Sequence, residues 1–346
     1  MSLILRLMIL LLTLVPATVT AQEARTSFGS GPTPFLIRST TDIDIIGPTM
    51  ARFSELNPEL RIDYEQWGSN TLFEQSRADC RGEAPPADAI LSSAVQQMVW
   101  LVNAACAQPY RSARTEALPP SRRWRDELWG VSTEPAVIAY NTRLLAGVEV
   151  PRSRFALLDL LRKRPDLFRN RIATYDISES GLGFLFAYSD SLEATTFGAL
   201  LEGFARVDAV ATCCSAEIIS GVAEGRYLIA YNVLGSYVQN ANEPDVGMIL
   251  PEDYTLLLSR GYMIPKQARQ ARVAARLLDF LLTAEAQALL RQAGLVTALD
   301  PAETGLSVSA RRTIALSPAL LVARDASRRN LLLRFWAETF QRAELP

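Results

Sequence analysis

Four short runs in this chain place hydroxyls and free backbone N–H groups where a ligand would meet them. They are Ser39-Thr40-Thr41, Ser92-Ser93-Ala94, the stretch Ser178-Glu179-Ser180-Gly181-Leu182-Gly183, and Tyr231-Asn232. Each follows an apolar, strand-like run and stands ahead of a helical pattern. A helix start carries N–H groups without intrahelical partners and a partial positive charge, which suits a carboxylate or a phosphate. For the first two runs, ordinary N-capping by Ser and Thr is the competing explanation. The third run is the most pointed: Gly181 and Gly183 let the backbone approach a ligand closely, and Ser180 is placed to donate. A tight strand-to-helix turn is its alternative. Tyr231 and Asn232 read either as ligand donors at a hinge or as a structural pair. Thr133 and Glu134 precede the apolar run 136–140. Glu134 repels an anion, so it meets an amine, a hydroxyl or an arginine, or it orients a basic residue. Arg38, closing the first strand-like run, is expected to face the same place.

Other chemistries lack their residues. The chain has no histidine, which removes Ser-His-Asp and Cys-His catalysis and the commonest zinc or copper ligand. Asp176, Glu179 and Glu134 are the carboxylates available for acid–base work, yet no nucleophile stands beside an activating base and no metal-ligand spacing is present. The expectation is a binding protein without cofactor or metal, not an enzyme. Lys163 and Lys266 are the only lysines, so arginine supplies nearly all the positive charge, and the formal net charge of −2 gives no global field for nucleic acid.

The elements that must position these residues follow a repeating order. Residues 1–21 read as a secretory signal: Arg6, an apolar run over 7–15, and Val19-Thr20-Ala21 before the cut. The expected location is therefore the periplasm. Residues 22–33 are unpatterned and expected to be loose. Strands are expected at 35–38, 60–64 and 87–91, alternating with helices that end near 57, 80 and 105, which is the signature of a parallel sheet with crossover helices. Residues 110–126 are irregular. After the strand 136–140 a second α/β unit follows, with strands at 171–175 and 226–232 and helices at 194–207 and 215–224. Strands at 246–250 and 254–264 precede one long helix, 271–290, and an amphipathic stretch over 330–336. The four cysteines of an exported chain suggest disulfides. Cys80 with Cys106, and the vicinal pair Cys213 and Cys214, are among three possible pairings.

In this order the motifs resemble the periplasmic substrate-binding proteins of ABC transporters, type II, the ferric, spermidine and phosphate-ester branch. The carriers are Phe53-Ser54-Glu55-Leu56-Asn57-Pro58, Ala87-Asp88-Ala89-Ile90-Leu91-Ser92-Ser93-Ala94, Val137-Ile138-Ala139-Tyr140-Asn141, Ser180-Gly181-Leu182-Gly183, Tyr231-Asn232-Val233-Leu234-Gly235-Ser236-Tyr237 and Ile264-Pro265-Lys266. Within the branch the chain resembles the group containing the phosphoglycerate transport regulatory protein. The resemblance implies an α/β, two-lobed fold, each lobe a mainly parallel sheet flanked by helices. Lobe 1 is expected at 22–135 plus 256–346 and lobe 2 at 136–255, with hinge strands near 131–141 and 246–264. It implies a ligand closed between the lobes; with the anion-type loops, the expectation is a monomer that captures a small organic anion and hands it to an ABC permease in the inner membrane, the alternatives being a subunit read by the periplasmic domain of a sensor kinase or a ferric-ion binding protein. Ferric members use adjacent tyrosines at the position of Ala230-Tyr231-Asn232, where this chain has one.

Overall fold

The computed structural model describes residues 22–297 and 306–340; the expected signal, 1–21, lies outside them. The first half of the chain alternates strand and helix. β1 (Gln22–Phe28) and β2 (Thr33–Ser39) lead to α1 (Ile43–Glu55), β3 (Leu60–Trp67), α2 (Ser69–Arg81), β4 (Ala89–Ser92) and α3 (Val95–Asn103). A short helix α4 (Ala113–Glu116) and strands β5 (Arg123–Trp124) and β6 (Leu128–Gly130) follow. Together with a later strand they make a seven-stranded sheet in the order β1-β3-β2-β4-β13-β6-β5, where β13 is Gly261–Met263.

The second sheet is built around β7 (Glu134–Asn141), the apolar run with polar ends. Every residue of β7 except Tyr140 is buried, as a strand covered on both faces requires. α5 (Arg154–Lys163), α6 (Pro165–Phe168), β8 (Ile172–Tyr175), α7 (Gly181–Glu193), α8 (Phe197–Arg206), β9 (Val210–Thr212), α9 (Ser215–Ala223), β10 (Ile229–Leu234), α10 (Gly235–Ala241), β11 (Val246–Ile249) and β12 (Thr255–Leu258) follow. This sheet runs β14-β12-β7-β10-β8-β9, with β11 also on β7 and with β14 at Arg311–Thr313. Pairing is parallel within the βαβ cores, β3-β2-β4 and β10-β8-β9, and antiparallel where the crossing strands β7, β12 and β13 join. Two sheets with flanking helices, one per lobe, is the architecture expected from the sequence.

Four local expectations change. Residues 22–28 are not loose: they form an edge strand antiparallel to β3, with burial alternating along it. The alternation of Glu23 and Arg25 with less exposed neighbours is how an edge strand keeps charge toward solvent. The expected strand 254–264 is two strands, β12 in one sheet and β13 in the other, parted by Ser259 and Arg260. The expected helix 271–290 is α11 (Ala271–Leu281) and α12 (Ala284–Gln292); Thr283 breaks it by capping α12, its hydroxyl accepting the Ala286 N–H at 3.1 Å. Residues 306–340, expected with lobe 1, touch both lobes: the segment 316–324 stays on lobe 1, with Leu316 N–H donating to Ser121 O at 2.8 Å and Arg324 over the Phe73 ring, while its two ends lie against lobe 2. β14 pairs with β12, and the last helix, α13 (Ala326–Phe340), packs on α8 through Phe204 and Phe340 at 6.2 Å between ring centroids.

Two apolar cores fill the separate lobes, one around Phe35, Tyr64 and Leu277 and one around Leu157, Phe204 and Trp336. A third joins them, with Val95, Met98 and Leu101 of lobe 1 against Leu182, Leu185 and Phe186 of lobe 2. The chain crosses between the sheets at 131–133 and at 259–260. There the crossings bond to one another: Val131 N–H donates to Arg260 O at 3.0 Å, and the Ser259 hydroxyl donates to Ser132 O at 2.5 Å.

Candidate functional site

A cavity of about 270 Å3 lies between the lobes. Lobe 1 lines it with Thr40, Asp42, Trp67, Ser69 and Ser93, and lobe 2 with Tyr175, Ser180, Cys213, Ser215 and Tyr237, among others. The residues at the N-caps of four helices reach it: Asp42 for α1, Gly68 for α2, Ser180 for α7 and Cys214 for α9. Ser93 adds the approach to α3. This follows from the topology, because the C-terminal ends of parallel strands in both lobes point to one crevice.

Of the residues expected from sequence, Thr40, Ser93 and Ser180 line the cavity. Thr40 and Ser93 close adjacent parallel strands and bond to each other: Ser93 N–H donates to Thr40 Oγ1 at 2.9 Å, with the hydroxyl oxygens 3.1 Å apart. Ser180 caps α7, its hydroxyl accepting the Gly183 N–H at 3.0 Å, while also facing the cavity. Capping and exposure to a ligand are thus both properties of this residue. Gly181 lies at the lobe junction. Its N–H donates to Ser69 Oγ at 2.8 Å, and its carbonyl accepts from Gln96 Nε2 at 2.7 Å. Gly183 packs where an added methyl would overlap Tyr175 Cβ; its role is helix-on-strand packing.

The other expected residues do not line the cavity. Ser39 and Ser92 turn their hydroxyls to local backbone, accepting from Thr41 N–H at 2.9 Å and Ala94 N–H at 3.2 Å. Thr41 is buried and accepts from Arg260 Nη1 at 2.9 Å. Thr133 joins the lobes through backbone, its N–H donating to Leu295 O at 2.8 Å. Arg38 faces away from the cleft, paired inside lobe 1 with Glu65 at 2.9 Å and Asp79 at 2.6 Å. Tyr231 and Asn232 sit inside lobe 2. Both donate to Asp190 Oδ2, at 2.6 and 2.5 Å, and Asp190 is paired with buried Arg154 at 3.1 Å. Asn232, with φ of 55°, forms the bulge of β10 opposite β7, a left-handed position that Asn tolerates.

Glu134 anchors an arginine. Its two oxygens accept from Arg260 Nε at 2.8 Å and Nη2 at 3.0 Å, and from the hydroxyls of Ser132 at 2.8 Å and Ser236 at 2.7 Å. Both partners are out of solvent, at 0% and 1% exposure. Burial pushes the Arg260 guanidinium down in pKa, but Glu134 and the surrounding tyrosines more than reverse this and hold it charged. Of the three carboxylates considered for acid–base work, only Glu179 lines the cleft. Asp176 accepts from the Ser178 N–H and hydroxyl at 2.8 and 2.6 Å.

Sequence reasoning missed Asp42, Trp67, Ser69, Cys213, Cys214, Ser215 and Tyr237. The Trp67–Ser69 turn obeys the same strand-then-helix rule that singled out Thr40 and Ser93. The turn at 213–215 was hidden because three-residue β9 was not anticipated. Tyr237 comes from α10 and donates to Asp42 Oδ1 across the lobes at 2.6 Å. Burial raises the Asp42 carboxyl above its ordinary value, against the lowering effects of Tyr237 and Arg260. Tyr175, buried beside Ser215, is pushed up to about 12 and so keeps its proton, with its hydroxyl 2.6 Å from Ser215 Oγ. Among the described residues the cavity lining includes the carboxylates of Glu23, Asp42 and Glu179 and no arginine or lysine. Two disulfides are present, Cys80–Cys106 and Cys213–Cys214, one of the three pairings the sequence left open. Cys213, Cys214 and Glu217 are the trio of metal-ligand types grouped among the described residues, and there the sulfurs are bonded to each other.

Residues 41–288, well over half of the chain, match the family model for the bacterial extracellular solute-binding protein. The chain belongs to this family. A solved substrate-binding protein of an ABC transporter from Agrobacterium tumefaciens is 26% identical, with a TM-score of 0.85 over 92% of this chain and 98% of that one. AfuA from Actinobacillus pleuropneumoniae, solved with exogenous fructose-6-phosphate bound, has a TM-score of 0.70 at 15% identity, covering 90% and 100%. The apo ferric ion-binding protein A of Pasteurella haemolytica has a TM-score of 0.67 at 18% identity, covering 89% and 98%. The last two share the fold. No curated protein sequence is significantly similar to the chain. The family is one of bacterial extracellular solute-binding proteins, and the fold is shared with substrate-binding proteins of ABC transporters, which bind a small molecule and deliver it to an ABC permease.

Proposed function

We propose that this solute-binding protein captures a small organic anion that also carries hydroxyls, phosphorylated or carboxylated, by closing its two lobes. The observation that carries the reading is the convergence of the α1, α2, α7 and α9 N-caps on one inter-lobe cavity. Four helix starts turn their positive dipole ends toward an anionic group, although some first-turn N–H groups, such as Ile43, Gly181 and Gly183, are already bonded to side chains. Thr40, Ser93 and Ser180 add hydroxyls, and Asp42 and Glu179 add acceptors for the ligand's own hydroxyls. At about 270 Å3 the cavity falls just below the roughly 300–1,000 Å3 of drug-sized sites, which suits a metabolite. Because the ligand touches both lobes only when they meet, its contacts favour the closed form, and a permease or a sensor kinase domain reads that form. Likeness to the phosphoglycerate regulatory group and to AfuA supports a phosphorylated ligand. The mature protein is read as a periplasmic monomer.

A second reading, a cationic solute, is favoured by Glu23, Asp42 and Glu179 standing in the lining with no arginine or lysine among the described residues there. Thermal shift with fructose 6-phosphate, 3-phosphoglycerate, citrate, ferric citrate and spermidine separates the two. A true ligand at 100 times its Kd adds about 2.7 kcal/mol to stability. We expect a phosphorylated or carboxylated member to shift the melting temperature; a shift with spermidine or ferric ion alone overturns the anion. Ser180→Asp sharpens the test, since Asp caps a helix as well as Ser does while placing a charge in the cavity. It should leave the unliganded melting temperature unchanged and abolish anion binding. Improved spermidine binding in the same variant would favour the second reading.

A further inference from the structure

Besides the aliphatic side chains of Leu182, Ala216 and Leu234, the cavity lining holds two broad apolar surfaces that come from opposite lobes. One is Trp67, at the end of β3. Its indole N–H is already given to Glu65 Oε2 at 3.3 Å, and the Arg38 guanidinium lies 5.6 Å from its ring centroid. Trp67 is thereby fixed in place and brings to the cavity ring surface without a free donor. The other is the Cys213–Cys214 disulfide, on the turn from β9 into α9. Bonding neighbouring cysteines removes both S–H donors and presents two polarisable sulfurs side by side, a surface that favours carbon over water. The turn is held from behind by Glu217, which accepts the Thr212 hydroxyl at 2.6 Å and lies 3.7 Å from Cys213 Sγ. Polar groups of the same cavity, namely Thr40, Asp42, Ser93, Glu179 and Ser180, supply hydrogen-bonding capacity around these surfaces.

We propose that Trp67 and the Cys213–Cys214 disulfide are the two apolar walls of a sugar subsite, and that the solute is a sugar phosphate or sugar acid. The inference rests on the reading of the cleft as an anion site and names its substrate class. A sugar carries hydroxyls on its rim and C–H groups on its faces, so it uses apolar walls and a polar rim together. A compact tricarboxylate has no such face. The disulfide is therefore a ligand-contacting group rather than a clamp on the fold. Cys80–Cys106, between the end of α2 and the segment after α3, serves as the structural comparison.

The test is titration calorimetry on the full, disulfide-bonded protein with fructose 6-phosphate, glucose 6-phosphate, ribose 5-phosphate and citrate. At least one sugar phosphate should bind. Its affinity should fall about tenfold or more in Cys213→Ser/Cys214→Ser and in Trp67→Ala, the loss of one wall being worth roughly 1.4 kcal/mol, and much less in Trp67→Phe, which keeps a ring. Wild-type protein reduced with a phosphine, its opened pair identified by alkylation and mass, gives the same comparison without mutation if the double variant fails to fold. Opening Cys213–Cys214 should weaken sugar phosphate binding, and Cys80→Ser/Cys106→Ser should lower the melting temperature with affinity unchanged. Sugar phosphate binding that is equal in every variant overturns the subsite and leaves the anion function standing. Citrate binding without any sugar phosphate does the same. Absence of binding by all four probes overturns both.

Discussion

Glu134 and Arg260 meet at the point where both crossings and both lobes come within one side chain's reach. Glu134 opens the strand that leaves the first crossing, and Arg260 belongs to the second. Ser236 of lobe 2 donates to the carboxylate, and Thr41 of lobe 1 accepts from the guanidinium. A pair this deeply buried is held less by its net attraction than by the penalty for separating it. Glu134→Ala would strand a buried cation and should destabilise the protein by about 3–5 kcal/mol, read as a lower urea midpoint. Glu134→Met combined with Arg260→Leu should recover much of that loss, since neither charge is then left alone. The sequence posed Glu134 as either a ligand contact or the anchor of an arginine. It offered no way to choose, because the partner lies more than a hundred residues away and is brought in by β13 pairing between β4 and β6. Tyr231 and Asn232 were misplaced for a related reason. They lie in the middle of β10 rather than at its end, and the bulge there turns them onto Asp190; a bulge leaves no mark in composition.

At the scale of elements, the strand-end loops were legible because strand, loop and helix start each leave a local pattern. The βαβ core of lobe 1 could be read in order from Phe35 to Val102, and that of lobe 2 from Ile172 onward except for β9. What stayed hidden depended on pairing: the edge strand β1, the three residues of β9, and the division of 254–264 between two sheets. A continuous apolar run looks the same whether it serves one sheet or two. Gly183 shows how tightly one such element is seated. It lies one turn into α7 against Tyr175 of β8, and an added methyl would overlap the tyrosine Cβ, which the backbone fixes. Gly183→Ala should therefore cost about 1–3 kcal/mol, as overpacking does, measured by chemical denaturation. A loss smaller than that of an ordinary surface substitution would mean that α7 slides freely on the sheet.

At the scale of the whole molecule, the junction between lobes is a mixture of apolar packing and hydrogen bonds that only the closed arrangement satisfies. Asn70 Nδ2 donates to the carbonyls of Ser178 and Glu179 at 2.9 and 2.8 Å, and Gln97 Nε2 donates to Asn70 Oδ1 at 2.8 Å. A methyl added to Gly181 would sit 2.6 Å from Gln97 Nε2 and 3.1 Å from Ala94 Cβ, both in the opposite lobe. Gly181→Ala should therefore leave each lobe folded and disfavour their meeting. The expected outcome is an unchanged circular dichroism spectrum, a larger radius of gyration by solution scattering, and weaker ligand binding. Scattering identical to wild type would mean that Gln97 simply moves aside.

The place of β13 has a further consequence for the order in which the chain is finished. Residues 261–263 fill the slot between β4 (89–92) and β6 (128–130), so these two strands cannot share a sheet until more than a hundred further residues have been synthesised. In the meantime residues 134–258 contain every strand of the second sheet but β14. That lobe can assemble from contiguous chain while the first waits with two open strand edges, and closing so long a loop is slow. The central strands of the first sheet are made earlier than those of the second and yet wait longer for their partner.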